Sequence, residues 1–206
     1  MALQCEATLL ITRHGDAGYE HPHVLSDSGG WLTGKGKAQT RELAEGLRSR
    51  RVALVYTSTM DRAVESAAIA GDVLGVPVRT VEGLEEYSVG LLAGRENDDQ
   101  ELRGVYSAWL AGHVGMRIPG GESGTEVIER YSEALQGIAD LHRGETVLVF
   151  SHGGVMSLCI PRLGANVRDD LAAQQYLPNC ATAEVAIGDD GFHVVSWPGT
   201  DNRAVV

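Results

Sequence analysis

Two histidines stand where apolar runs end, and each is followed by glycine. Residues 7–15 read ATLLITRHG and residues 146–154 read TVLVFSHGG, so His14 and His152 close two uncharged, β-prone stretches. Runs of this kind read as buried strands, and in open α/β sheets ligands bind at the carboxyl ends of strands. One imidazole arrives with the guanidinium of Arg13. A second guanidinium, Arg62, falls in the first turn of a predicted helix. The helix dipole disfavours a cation there unless the two share an anion. A guanidinium's planar fork matches phosphoryl oxygens, so this constellation points to a phosphate ester. A neutral imidazole nitrogen can also attack phosphorus and form a phosphohistidine. For that the other ring nitrogen must keep its proton on an acceptor, and a backbone carbonyl near Gly15 is the candidate. Gly15 itself leaves room for a close backbone approach. Each histidine taken singly reads as an ordinary structural residue; the pair at two strand ends favours a site.

The elements that must hold these groups are legible in order. Thr33 can cap a helix over residues 34–49 whose buried face is read from Ala38, Leu43 and Leu47. Residues 52–56 form the next strand. Ser58 and Asp61 resemble a capping box for a helix carrying Val64, Ala67, Gly71 and Leu74 at helical spacing. A short strand follows at 78–81, then an acidic segment with Glu82, Glu85 and Glu86. Helices are expected over 95–111 and 122–142, the second with a core stripe of Val127, Ile128, Tyr131, Leu135, Ile138 and Leu141. After His152 a helix over 155–163 is bent or ended by Pro161. Residues 181–187 and 192–197, joined by a turn containing Asp190-Gly191, close the chain as a hairpin. The order predicts an α/β fold: a three-layer α/β/α sandwich with a mostly parallel sheet and an antiparallel C-terminal hairpin.

Composition limits what such a protein can do. At 206 residues and 43% hydrophobic content the chain suits a single domain over 1–206 with a sizeable core. A formal net charge of -11 argues against nucleic-acid and polybasic membrane partners. An anionic substrate must then be drawn by local positive charge. The start of the chain lacks a basic, apolar leader and no run is long enough to span a bilayer, which reads as cytoplasmic. Cys5, Cys159 and Cys180 fit reduced thiols, the last two as small core residues. His21 and His23 are weak metal evidence without a third ligand, so no metal and no cofactor are expected.

The sequence resembles the histidine phosphatase superfamily, also called the phosphoglycerate mutase-like family. LLITRHG resembles its signature segment, LTGKGKAQ its LTxxGxxQA helix start, and TSTMDRAVESA its SSxLxRAxxTA segment. LEEYSVGLLAG resembles the LxExxxGxxxG stretch, and PGGES and SHGGV follow in the family's order. The resemblance implies a phosphoglycerate mutase-like fold and a helical insert at about 95–142 covering the site. It implies His14 as nucleophile, His152 as the second phosphate-pocket histidine, and Arg13, Arg62, Gly15 and Gly153 as substrate-binding positions. It selects Glu86, with Glu85 as fallback, as the group that protonates the departing oxygen and then deprotonates water. The implied activity is metal-independent hydrolysis of a small phosphorylated metabolite with inorganic phosphate as product. Alternatives are a phosphoglycerate mutase-type phosphotransferase, a phosphohistidine-protein phosphatase and a non-catalytic phosphate-binding protein; a homodimer is left open. Departures bear on substrate: Asp16 follows RHG where Glu or Gln is common, and Met156-Ser157 stands where many members carry a branched aliphatic and an Arg. Tyr19, His21, Trp31, Tyr87, Trp109 and the region before Pro119 are the candidate specificity positions.

Overall fold

A computed structural model describes residues 5–172 and 177–199. In chain order it has β1 (Ala7–Arg13), a ribbon of β2 (Ala17–Gly18) and β3 (Trp31–Leu32), α1 (Gly34–Gly46), β4 (Val52–Thr57), α2 (Asp61–Leu74) and β5 (Val78–Thr80). Then come α3 (Gln100–Leu110), α4 (Gly124–Leu141), β6 (Thr146–Ser151), α5 (Gly153–Leu163) and the hairpin β7 (Thr182–Gly188) and β8 (Gly191–Ser196). Six strands form one sheet in the order β5-β4-β6-β1-β7-β8. The first four of that order are parallel, and β7 and β8 run antiparallel at one side.

Side-chain alternation along the central strands divides the interior into two cores. Leu9, Ile11, Val147 and Val149 face α3, α4 and α5, while Leu10, Leu148 and Phe150 face α1 and α2. Helices therefore cover both faces, as the apolar runs of β1 and β6 require. Among the described residues no helix is long and apolar enough to cross a membrane. The reading of the chain's start falls partly on residues 1–4, outside the described residues.

Several local expectations are corrected. Ala38 is exposed, whereas Leu43 and Leu47 pack half-buried against the core as expected, and α1 also buries Gly36, Thr40 and Ala44. Thr33 does cap α1, accepting from the Gly36 amide at 3.1 Å. Residues 95–99 are not helical; Asp99 begins α3 by accepting from the amides of Glu101 and Leu102. Leu141 is 71% exposed and drops out of the α4 stripe. The strongest cap was not foreseen: Ser123 and Glu126 form a reciprocal capping box at the start of α4. Pro161 lies inside α5 without ending it, and Cys180 is half-buried.

Sheet register is what assembles the site. Arg13 lies opposite Ser151, and Thr57 opposite Phe150, so β1, β6 and β4 end level with one another. Backbone bonds continue this alignment one residue further, from the His14 amide to Ser151 and from the Ser58 amide to Phe150, each at 3.1 Å. His14, His152 and Ser58 therefore emerge together at the carboxyl edge.

Candidate active site

At that edge the rings of His14 and His152 lie 5.3 Å apart, centroid to centroid. Both are buried, His14 to 3% exposure and His152 completely. His14 Nδ1 is 2.7 Å from the Gly15 carbonyl, which can only accept, so Nδ1 carries the proton. Nε2 is then the bare nitrogen, and it accepts from Arg62 Nε at 3.0 Å. Burial, and next the Arg62 guanidinium, pull the His14 pKa down to about 3. His14 is accordingly a neutral imidazole with its lone pair on Nε2.

His152 is neutral for the same reasons, burial first and Arg62 second, which hold its pKa well below the ordinary histidine range. Its Nε2 is 2.7 Å from Ser58 Oγ, while Nδ1 is buried with no hydrogen-bond partner. Ser58 Oγ also accepts from the Met60 amide at 3.4 Å. When Ser58 turns its own proton to His152 Nε2, the ring proton is left on Nδ1. This use of Ser58 explains a correction: the expected capping box at α2 is absent, and Met60 begins the helix with no side-chain cap.

The cations are anchored by the surrounding backbone. Arg62 is buried to 6% exposure at the start of α2 and donates to the carbonyls of Gly29 and Ser28 at 2.8 and 3.4 Å. Arg13 donates to the Leu177 carbonyl, and its side chain passes over Gly153, where a Cβ would meet Cδ and Nε at 3.2 Å. Gly15 permits a close backbone approach: a Cβ there would sit 2.5 Å from the Gly36 carbonyl oxygen in α1. The positive charge of the site thus comes from two guanidiniums, and both imidazoles are neutral.

Glu86 approaches from the loop between β5 and α3. Its carboxylate accepts from the amides of Gly154 and Val155 at 2.8 and 2.7 Å, on the first turn of α5. Helix N-termini hold anions in this manner. Glu85 points elsewhere, accepting from the Thr59 amide and hydroxyl and from the Gly83 amide. Arg130 of α4 steadies this loop: its NH1 donates to the carbonyls of Gly83 and Glu85 at 2.9 Å, and it pairs with Glu122. Glu122, from the PGGES segment, in turn accepts from the Ser88 amide at 3.1 Å. Tyr131 donates to Ser151 Oγ, which donates to the Leu84 carbonyl, tying α4, β6 and the same loop.

Arg13, His14, Arg62, Glu86 and Gly153 face one cavity of about 560 Å³. Glu85 does not reach it. Of the candidate specificity positions, Tyr19 and Tyr87 line it; Trp109 stands behind Tyr87, edge to face at 5.4 Å. His21 lines a neighbouring cavity and Trp31 is half-exposed on the ribbon. His23 is exposed, and the described residues contain no cluster of His, Cys, Asp and Glu able to hold a metal. Sequence reasoning missed Ser58, Gly154, Tyr106, Glu122 and Arg130. Ser58 and Glu122 lay inside recognised motifs; Arg130 carried no signal beyond its place on a helix.

Comparison with known proteins agrees on one lineage. The family model described as histidine phosphatase superfamily, branch 1, matches residues 9–200. A metal-independent phosphoserine phosphatase of Arabidopsis thaliana is 30% identical over 209 residues, covering 96% of this chain and 84% of the relative. A probable phosphoglycerate mutase, GpmB, of Yersinia enterocolitica is 27% identical over 192 residues, covering 92% and 89%. Among solved structures, Bacillus stearothermophilus YhfR superposes with a TM-score of 0.78 at 28% identity, covering 95% of this chain and 98% of that one.

Proposed function

This chain belongs to the histidine phosphatase superfamily, and from that premise we propose that it is a metal-independent phosphomonoesterase working through a phosphohistidine at His14. The observation that carries the proposal is the protonation pattern of His14. Gly15 fixes the proton on Nδ1, which puts the lone pair on Nε2, held by Arg62 Nε, and His14 lines the same cavity as Glu86. Nε2 attacks phosphorus, the bond from phosphorus to the leaving oxygen breaks, and protonated Glu86 delivers a proton to that oxygen. Glu86, now a carboxylate, takes a proton from water, whose oxygen attacks phosphorus. The nitrogen–phosphorus bond breaks and inorganic phosphate leaves.

Arg62 must change partners during the first step. Its Nε now caps the lone pair that attacks, so substrate binding requires that donor to pass from His14 to a phosphoryl oxygen. Arg13 and the Nδ1–H of His152 complete the cradle for the equatorial oxygens. The dianion that enters meets the charges of Arg13 and Arg62, and His152 binds it as a neutral N–H donor.

The test is phosphate release from a phosphomonoester panel in excess chelator, with His14→Ala as the blank. Turnover in chelator, silence in the blank and an acid-labile, alkali-stable phosphoenzyme on His14 are the expected results. Activity in the blank overturns the mechanism. A mutase reading draws support from the Yersinia relative's name. Interconversion of phosphoglycerates with negligible hydrolysis would establish it instead.

A further inference from the structure

We infer, on the premise that this site hydrolyses phosphate esters, that the alcohol it releases is uncharged and carries an apolar ring. The cavity is divided by chemistry. Arg13, His14, Arg62 and Glu86 share their part of the cavity with Tyr19, whose ring lies 5.7 Å from the Arg62 guanidinium, and with Leu177, whose carbonyl accepts from Arg13; the other end is lined by Tyr87, Tyr106, Leu110 and Ala172, with Ser157 as a small hydroxyl. Among the described residues that end holds no lysine, arginine or histidine.

Arg162, on the same helix as Ser157, does not line the cavity. Its two terminal nitrogens are turned to the backbone carbonyls of Leu158, Trp109 and Leu110 at 2.9, 2.7 and 3.0 Å. A carboxylate on the leaving group would therefore find no cation in the lining of that end and would lie on the side of Glu86, which is unfavourable. Phosphoserine and phosphoglycerate are substrates of that kind.

What the far end offers instead is an aromatic wall. Tyr87 and Tyr106 stack at 5.3 Å and 26°, and Trp109 packs edge-on against both at 5.4 and 6.3 Å. The wall is rigid: Tyr106 is tied by its hydroxyl to the Gly154 carbonyl at 3.1 Å, and Trp109 Nε1 to the Met116 carbonyl at 2.7 Å. A flat ring would meet such a surface in offset or edge-to-face contact. An apolar cavity of about 150 Å³ holds a benzene-sized ring, and the space here exceeds that several times.

The test compares esters whose leaving groups are all primary alcohols, so that intrinsic reactivity does not decide. Purified full-length protein is assayed in chelator with 2-phenylethyl phosphate, phosphoserine and 3-phosphoglycerate, and with 4-nitrophenyl phosphate as an activated control. We expect kcat/KM for 2-phenylethyl phosphate to exceed the two carboxylated esters by about 100-fold, mostly through KM. Equal or greater efficiency on either carboxylated ester overturns the inference while leaving the phosphatase reading intact. No turnover of any ester, the activated control included, overturns both. Ser157→Arg should raise kcat/KM for 3-phosphoglycerate at least 10-fold and lower it for 2-phenylethyl phosphate. Leu110→Lys, a half-exposed position at the end of α3, provides the same cation where folding is not at risk. Failure of both variants, folded by thermal melt, to shift the ratio refutes the assignment of selectivity to this end of the cavity.

Discussion

Gly154→Ala should separate proton donation from phosphate binding. A Cβ at position 154 would lie 2.7 and 2.9 Å from the two Glu86 oxygens and 2.6 Å from Tyr87 Cε1. Ordinary contact begins near 3.4 Å, so the carboxylate must retreat by about 0.7 Å. That stretches its bonds to the Gly154 and Val155 amides from 2.8 and 2.7 Å to beyond good hydrogen-bond length. Catalytic groups tolerate errors of about 0.5 Å, and a 1 Å misplacement can cost about 100-fold. We therefore expect kcat/KM for an alkyl phosphate to fall roughly 10- to 100-fold. Arg13, Arg62 and His152 are untouched, so competitive inhibition by inorganic phosphate should hold within about 2-fold. Because kcat/KM reports the step up to phosphoenzyme formation, 4-nitrophenyl phosphate, whose leaving group needs no proton, should lose little. Overpacking against Tyr87 costs about 1–3 kcal/mol, lowering Tm by about 2–10 °C. Stopped-flow and steady-state assays with both esters decide the matter. An equal loss on the two would refute the assignment of Glu86 as donor, and no loss would refute the geometric coupling.

Other consequences follow from the same geometry. Ser58→Ala removes the partner that fixes the His152 tautomer and should lower kcat/KM by roughly 10- to 100-fold, in line with about 1–3 kcal/mol for a stranded buried group; phosphate inhibition should weaken in step. For stability against pH, the folded-state pKa of His14 is about 3 against an ordinary 6.5, so below pH 6.5 the unfolded chain takes up a proton that the native one refuses. Stability from this group is complete above 6.5 and falls by about 1.4 kcal/mol per pH unit as pH drops toward 3. Denaturant melts at pH 7 and 5 should show His14→Asn losing less than wild type over that interval; identical losses would contradict the buried neutral imidazole. Arg130→Met leaves the Gly83 and Glu85 carbonyls without their guanidinium donor. Faster amide exchange at Tyr87 and Ser88 with a lower kcat is expected, and Arg130→Lys should restore only part of either.

The parts of this site that strands deliver were legible, because a strand fixes where its last residue points. Six uncharged residues before Arg13 and five before Ser151 are enough to bury both strands, and burial brings their ends to one edge. Glu86 was legible for a different reason: the LxExxxG spacing distinguishes it from Glu85, whereas composition alone treats the two alike. What local rules misjudged is Ser58. A serine three residues before an aspartate satisfies the capping pattern, and nothing nearby in sequence announces that His152 lies 94 positions away with a nitrogen to satisfy. The buried imidazole gains more from that hydroxyl than an exposed helix end would, since the helix can find water and the ring cannot. The same competition explains Arg62: the dipole argues against it, but a bare imidazole nitrogen and two loop carbonyls outweigh the dipole. At both Ser58 and Arg62 the overriding partner is a catalytic histidine candidate, and that makes these two violations the most informative ones in the sequence.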